Sequence, residues 1–164
     1  MPLRPARESD LDTIIHLIRG LAEYEREPEA VVLHPEELRH HLFGPHPYAE
    51  VILAEDDLGG AVGFALFFHN FSTWLGKPGL YLEDLFVVPE ERGNGHGRAL
   101  LARLAAIAVE RGCGRMEWSV LDWNTPSIGF YRALGAEPMD EWTTYRLSGG
   151  SLAALAREDA RPQV

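Results

Sequence analysis

Val87-Val88-Pro89-Glu90-Glu91-Arg92-Gly93-Asn94-Gly95-His96-Gly97-Arg98 is the stretch on which the reading of this chain turns. An apolar strand from Leu80 to Val88 is stopped by Pro89, runs into a loop with three alternate glycines, and is followed by a helix from Arg98 to Glu110. Glycines let such a loop curl so that successive N–H groups converge, and the helix N-terminus adds partial positive charge. That combination suits a pyrophosphate. Two other phosphate loops do not fit. A Walker loop needs Gly-Lys-Ser/Thr, and a dinucleotide fingerprint needs glycine where Arg98 stands. The plain alternative is a tight strand-to-helix connection that binds nothing.

Working outward, Leu3 to Ala6 reads as a short opening strand. Ser9 is placed to cap a helix with Asp12 at its third position, and Leu11, Ile14, Ile15, Ile18, Leu21 and Ala22 give that helix one buried face before Pro28. Pro35 opens a second short helix that stops at Gly44. Val51–Ala54 and Ala61–Phe68 flank the turn Asp56–Gly60 and predict a hairpin. Past the glycine loop and its helix, closed by Gly112, Met116 to Leu121 reads as a strand. Thr125-Pro126 opens a helix that ends at Gly135, Thr143 to Leu147 can form a last strand, and a tail helix carries Leu152 and Leu155. Antiparallel hairpins followed by a β-α-β half predict an α/β protein with a mixed sheet in three layers, α/β/α, with residues 1–164 as a single domain.

Composition narrows the function classes. With 164 residues, 46% hydrophobic and 24% charged, the chain is an ordinary globular domain and not a disordered one. Fifteen basic against 25 acidic residues give a net charge of −10, which argues against nucleic acid and is compatible with a cationic ligand. No apolar run reaches the ~20 residues of a membrane span, and Met1 to Arg7 lacks a secretory core, so a cytoplasmic protein is expected. The one cysteine, Cys113, cannot form an internal disulfide and has no histidine near it in sequence to make it a nucleophile. His40, His41 and His46 lack metal-ligand spacing, so no metal is expected.

Arg92-Gly93-Asn94-Gly95-His96-Gly97, after a strand ending Phe86-Val87-Val88-Pro89, resembles the acetyl-CoA loop of the GCN5-related N-acetyltransferase (GNAT) superfamily, with Arg92, Gly95 and Gly97 on its pattern. The segment Asn124-Thr125-Pro126-Ser127-Ile128-Gly129-Phe130-Tyr131-Arg132-Ala133-Leu134-Gly135 is similar to a second block of that family. Arg4-Pro5-Ala6, Leu17 to Glu25, Ser72-Thr73-Trp74, Tyr81 to Val87 and Trp123 to Ser127 resemble its spermidine/spermine (diamine) and thialysine acetyltransferase branch, over about residues 3 to 147. One departure is the short turn Asp56–Gly60, where animal members carry a longer insertion. The resemblance implies transfer of acetyl from acetyl-CoA directly to a primary amine of a small cationic substrate. It also implies a homodimer with sites near the subunit interface. Alternatives are a protein or peptide N-acetyltransferase, and a non-catalytic acyl-CoA-binding module.

Attack on a thioester needs a neutral amine. Neutralising a group of pKa ~10.4 at pH 7 costs about 4.6 kcal/mol, so a proton acceptor is required. Glu83 and Asp84 interrupt an apolar strand, where regular alternation would point them to opposite faces unless a bulge intervenes. Glu83 is the expected anchor and acceptor with Asp84 in support, against the alternative of strand-edge charge. The resemblance makes Tyr131 the general acid for the thiolate; on spacing alone it is a core tyrosine. Backbone groups of Leu85, Phe86 and Val87 are placed to pair with the pantetheine arm as an added strand. Arg92, Gly93, Asn94, Gly95, His96, Gly97 and Arg98 are expected to hold the pyrophosphate, and Asn124 and Ser127 to contact the arm or cap their helix. Tyr24, Glu25, Trp74, Glu83, Glu117, Trp118 and Ser119 resemble amine-contacting positions, with Trp74 as readily a buried loop anchor.

Overall fold

The computed structural model describes residues 2–159. They fall into two compact units, one up to Ser119 and one from Val120 onward. The first is built on a five-stranded sheet of order β1-β2-β3-β4-β5, formed by Leu3–Pro5, Glu50–Glu55, Ala61–Ser72, Lys77–Val87 and Met116–Trp118. Neighbours are antiparallel except β4 and β5, which are parallel and joined by helix α3, His96–Glu110. A parallel pair needs such a crossover, and it sets the mixed sheet that the sequence predicts.

Helix α1, Leu11–Tyr24, covers one face of the sheet together with α2, Pro35–Phe43. Ile14, Leu17 and Leu21 pack there with Leu42 onto Val51, Leu53, Phe64 and Phe86. A Cβ on Gly20 would come within 2.9 Å of the Phe86 ring, so the side-chain-free position lets α1 lie close against β4. Helix α3 packs on β2, β3 and β4 and buries Leu100, Leu101, Leu104 and Ile107. The hairpin turn is held by Asp56, whose Oδ1 accepts from the N–H groups of Leu58 and Gly60.

Three local expectations differ from the structure. Glu8–Asp10 is a 3₁₀ turn and α1 starts at Leu11, so Ser9 lies inside the turn rather than at a helix cap. The organiser is Asp10, which accepts from the Arg7 N–H at 2.7 Å and from the Arg4 guanidinium at 2.8 Å, while Arg4 also reaches Glu55 at 2.6 Å. Strand β5 ends at Trp118 instead of Leu121. Thr143 to Leu147 has no strand structure; its alternating pattern finds no partner, and Tyr145 is 94% exposed. The second unit consists of α4, Thr125–Ala133, and α5, Gly149–Ala156, with irregular chain between them.

Helix α1 ends in a Schellman turn: Glu27 N–H bonds to Ala22 O and Arg26 N–H to Glu23 O. Arg26 occupies the left-handed position of that turn, φ 63°, where glycine is favoured. Arg26→Gly is expected to stabilise the fold by about 1 kcal/mol, raising Tm by ~2–4 °C. An unchanged or lower Tm in calorimetry contradicts this account of the turn.

Candidate active site

The register of β3 on β4 shifts by one residue in the middle of the sheet. Leu66 pairs with Asp84, but its neighbour Phe67 pairs with Leu82, leaving Glu83 as an extra, unpaired residue. Cross-strand partners share a face, so Asp84 lies with Leu66 and Phe86 on the α1 face, while Leu82 lies with Phe67 on the α3 face. The bulge thus absorbs the alternation that would otherwise have separated the two acids. Asp84 is half-buried, and Glu83 beside it is exposed. Burial, first, and then the charges of Glu83 and Glu25 push the Asp84 carboxyl up to about 6. Glu25, the residue after α1, is itself raised by burial. The end of α1 and the bulge of β4 therefore assemble three carboxylates in one place, with Tyr24 next to Glu25.

Past the bulge, β4 continues to Val87, although β5 accompanies it only from Leu80 to Leu82. Among the described residues no strand pairs with that side of Glu83–Val87. Leu85, Phe86 and Val87 therefore present backbone groups along an open edge, suited to an amide-bearing chain. The glycine loop begins two residues beyond a 3₁₀ turn at Pro89–Glu91. Gly93 and Gly95 adopt left-handed backbone, φ 82° and 85°, and Gly95 is the N-cap of α3. A Cβ on Gly97 would meet nothing within 4 Å. The first intrahelical bond is Ala99 N–H to Gly95 O, so the N–H groups of His96, Gly97 and Arg98 have no helical acceptor.

The loop's side chains are arranged differently from its backbone. Glu91 Oε2 accepts from Asn94 Nδ2 at 3.0 Å and faces His96 Nε2 at 3.2 Å. His96 is 5% exposed and its Nδ1 has no hydrogen-bond partner. Exposed Asn94 and buried His96 therefore hold the loop through Glu91. Arg92 donates from Nε to Val87 O at 3.0 Å, and its guanidinium carbon lies 4.6 Å from the Tyr24 ring centroid and 5.5 Å from that of Phe86.

Other expected residues lie elsewhere. Trp74 is 89% exposed at the tip of the β3–β4 hairpin, where Ser72 pairs with Lys77. From Lys77 to Asp84 the strand runs about 20 Å, so one chain does not bring Trp74 to the acids. Glu117 shares a face with its partner Tyr81; its carboxylate engages Arg115 Nε at 3.1 Å and Asn70 Nδ2 at 3.5 Å. Trp118 is half-buried on the same strand, and Ser119 Oγ sits 3.0 Å from Tyr81 Oη. In the second unit, Asn124 is buried and caps α4 by accepting from Ser127 N–H at 3.4 Å. Tyr131 is half-buried on α4 with its ring 5.7 Å from that of Phe130. The fold also brings His69 to Cys113, Nδ1 to Sγ 3.8 Å. That nitrogen lies 3.1 Å from Gly79 O, so it carries the hydrogen, and Nε2 faces Arg111 at 2.9 Å. The ring's lone pair is on Nε2 and faces Arg111, so the nitrogen turned to Cys113 Sγ is not a proton acceptor for the thiol.

Comparison with known proteins decides the family. Residues 12–136 match the acetyltransferase (GNAT) family. The chain belongs to that family. It is 38% identical to a thialysine N-epsilon-acetyltransferase of Bos taurus over 94% of this chain and 96% of that one. It is 32% identical to a spermidine/spermine N(1)-acetyltransferase-like protein of Homo sapiens, over 96% of this chain and 24% of the longer relative. Among solved structures it is similar to an integron cassette protein from the mobile metagenome of V. cholerae, with TM-score 0.78, 28% identity, and coverage of 95% of this chain and 97% of that one.

This GNAT acetyltransferase accordingly uses acetyl-CoA as co-substrate, as its family does. The open edge of β4, the left-handed glycines and the free N–H groups of α3 fit that molecule's pantetheine and pyrophosphate. Among the described residues no group of three His, Cys, Asp or Glu side chains is arranged to hold a metal ion. No helix is long and apolar enough to cross a membrane. Glu91 is the loop-holding residue that sequence reasoning missed, and the signal was its spacing, three residues before Asn94 and five before His96.

The raised carboxyl of Asp84 has a cost. Its folded pKa of about 6 exceeds the ordinary 3.8, so the native state binds the proton more tightly and stability falls as pH rises through that window. At pH 7 the penalty is at most ~3 kcal/mol. Asp84→Asn is expected to raise Tm at pH 7.5 and to raise it much less at pH 4.5, while lowering kcat. A Tm difference independent of pH in parallel melts is the contrary result.

Proposed function

We propose that this acetyltransferase moves the acetyl group of acetyl-CoA directly to a primary amine of a small cationic substrate, a polyamine, a diamine or a thialysine-like diamino acid. The observation that carries the reading is the trio Glu25, Glu83 and Asp84, gathered at the β4 bulge with Asp84 held at about 6. Carboxylates draw ammonium groups, and an acceptor near pH 6 takes a proton from an amine more readily than an ordinary aspartate. Glu83, exposed, anchors the cation, and Asp84 accepts the proton directly or through water. This shifts the main acceptor role from Glu83 to its neighbour. Acetyl-CoA supplies a thioester. The amine nitrogen forms the new bond to the carbonyl carbon, the carbon–sulfur bond breaks, and Tyr131 gives its phenolic proton to the departing thiolate.

Leu85 to Val87 hold the pantetheine arm, and backbone groups of Arg92 to Arg98 hold the pyrophosphate. Asn124 and Ser127 serve the arm in addition to the cap they form. Tyr24, Glu117, Trp118 and Ser119 line the amine side. Residues 1–164 work as a single domain of a cytoplasmic homodimer, to which Leu147, Leu152 and Leu155, each about half exposed, offer apolar surface. Trp74 enters the reading through that dimer, from a second copy. No nucleic acid, membrane or metal has a part in it.

Acetyl-CoA consumption with spermidine, putrescine, thialysine, lysine and basic peptides tests the proposal. The highest kcat/KM is expected for a compact diamine or diamino acid; turnover of peptides alone, or of nothing, overturns it. Tyr131→Phe is expected to lower kcat by ~10²–10⁴-fold with KM for acetyl-CoA little changed, and near-normal turnover returns Tyr131 to a packing role. Light scattering at micromolar concentration is expected to give the mass of two chains, and the mass of one chain rejects the dimer.

A further inference from the structure

Two arginines bracket the glycine loop, and their surroundings assign them different work. Arg98, in the first turn of α3, is exposed and makes no ion pair or side-chain hydrogen bond among the described residues. It is placed to meet a phosphate. Arg92 is tied down. Its Nε donates to Val87 O, the last residue of β4, and its guanidinium stacks on Tyr24, the last residue of α1, and more distantly on Phe86. A guanidinium is suited to this geometry because it donates in its plane while its face rests on a ring. Tyr24 precedes Glu25, whose charge acts on Asp84. Side-chain contacts therefore join the loop to the last residue of α1, and the next residue along the chain is Glu25, one of the acids.

We propose that Arg92 is a positioning residue: by fixing the ring of Tyr24 it couples occupation of the acetyl-CoA loop to the affinity of the amine site. The inference rests on the amine reading above. A pyrophosphate bound by residues 92–97 stabilises the state in which Arg92 already holds Tyr24 and the end of α1 in place, and that is the state which receives the amine. By linkage the amine then tightens the cofactor equally.

Calorimetry with coenzyme A, which binds without reacting, and thialysine measures this coupling. In the native chain, saturating coenzyme A is expected to lower the Kd of thialysine by about 5-fold or more. Arg92→Leu and Tyr24→Leu should each bring that factor near one, and the double variant should lose no more than either single one. Tyr24→Phe, which keeps the ring, should retain the coupling, whereas Arg92→Lys, which lacks the flat guanidinium, should lose most of it. Arg98→Leu should weaken coenzyme A binding and leave the factor as in the native chain. An Arg92→Leu chain that weakens coenzyme A alone, with native coupling, overturns the proposal and makes Arg92 a phosphate ligand. If Arg92→Leu proves unstable, the contrast between Tyr24→Leu and Tyr24→Phe decides: equal coupling in the two overturns it. A native chain that binds coenzyme A but neither thialysine nor spermidine fails the amine reading, whereas one that binds both without coupling fails only the role of Arg92.

Discussion

One extra residue in β4 governs the chemistry of this molecule. Removing Glu83 from the register would restore regular alternation, and it would do so at the expense of either the core or the site. Leu82 is 2% exposed on the α3 face and Phe86 is 5% exposed on the α1 face, four residues along the same strand. An even separation keeps two residues on one face of a regular strand, so both can be buried on opposite faces only if the strand slips phase between them. The bulge is that slip. Its position is fixed by packing on both sides of the sheet, and the acids at it inherit a placement that hydrophobic burial enforces. A solvent-exposed loop could not hold a half-buried carboxylate so firmly.

The resulting acid cluster works against itself. Three carboxylates attract an ammonium group, but they also stabilise its charge and so oppose the loss of the proton that reaction requires. Burial of Asp84 offsets part of this conflict. The same desolvation and like-charge repulsion that lift its pKa to about 6 make it a better proton acceptor, closing about 2 of the ~6.6 pKa units that separate an ordinary aspartate from a lysine-like amine. Exposed Glu83 meets the cation without such a penalty. Adjacent carboxylates thus differ in role because their burial differs, which fits the general pattern of paired acids in catalytic sites.

The sequence made legible whatever depended on local pattern. The hairpin around Asp56–Gly60, the amphipathic α1, the proline-opened α2 and the strand–loop–helix at Arg92–Gly97 all follow from turn chemistry and periodicity, and all are present. What it left open depended on long-range pairing. Glu83 and Asp84 were visible as two acids in an apolar strand, but which of them is buried is set by Leu66 and Phe67 across the ladder. Ser9 had the residue type of a cap, yet it lies inside a 3₁₀ turn, and Asp10 stands at the start of α1 with its carboxylate turned back onto Arg4 and the Arg7 N–H. Thr143 to Leu147 had the alternation of a strand, which only a partner can turn into one. The contact of Cys113 with His69 joins positions 44 apart in sequence, and only the fold shows that the imidazole hydrogen is already committed to Gly79.

The glycine loop shows the same dependence at shorter range. Its glycines explain why the backbone can curl, but a curled loop of glycines alone would be an ensemble. Glu91 narrows it by gathering Asn94 and His96 onto one carboxylate oxygen, and burial of the imidazole ties that cluster to the core. A carboxylate beside a site for an anionic ligand is tolerable because it is engaged by two side chains of the loop itself. The N–H groups of His96, Gly97 and Arg98 and the exposed Arg98 side chain are left to face outward. Arg92 completes the arrangement from the other end by fastening the loop to the last residues of β4 and α1. Preorganisation of this kind lowers the ordering entropy that a flexible diphosphate site would otherwise lose on binding. It also ties the loop to the acids, because Arg92 bonds to Val87, the last residue of the strand that bulges at Glu83.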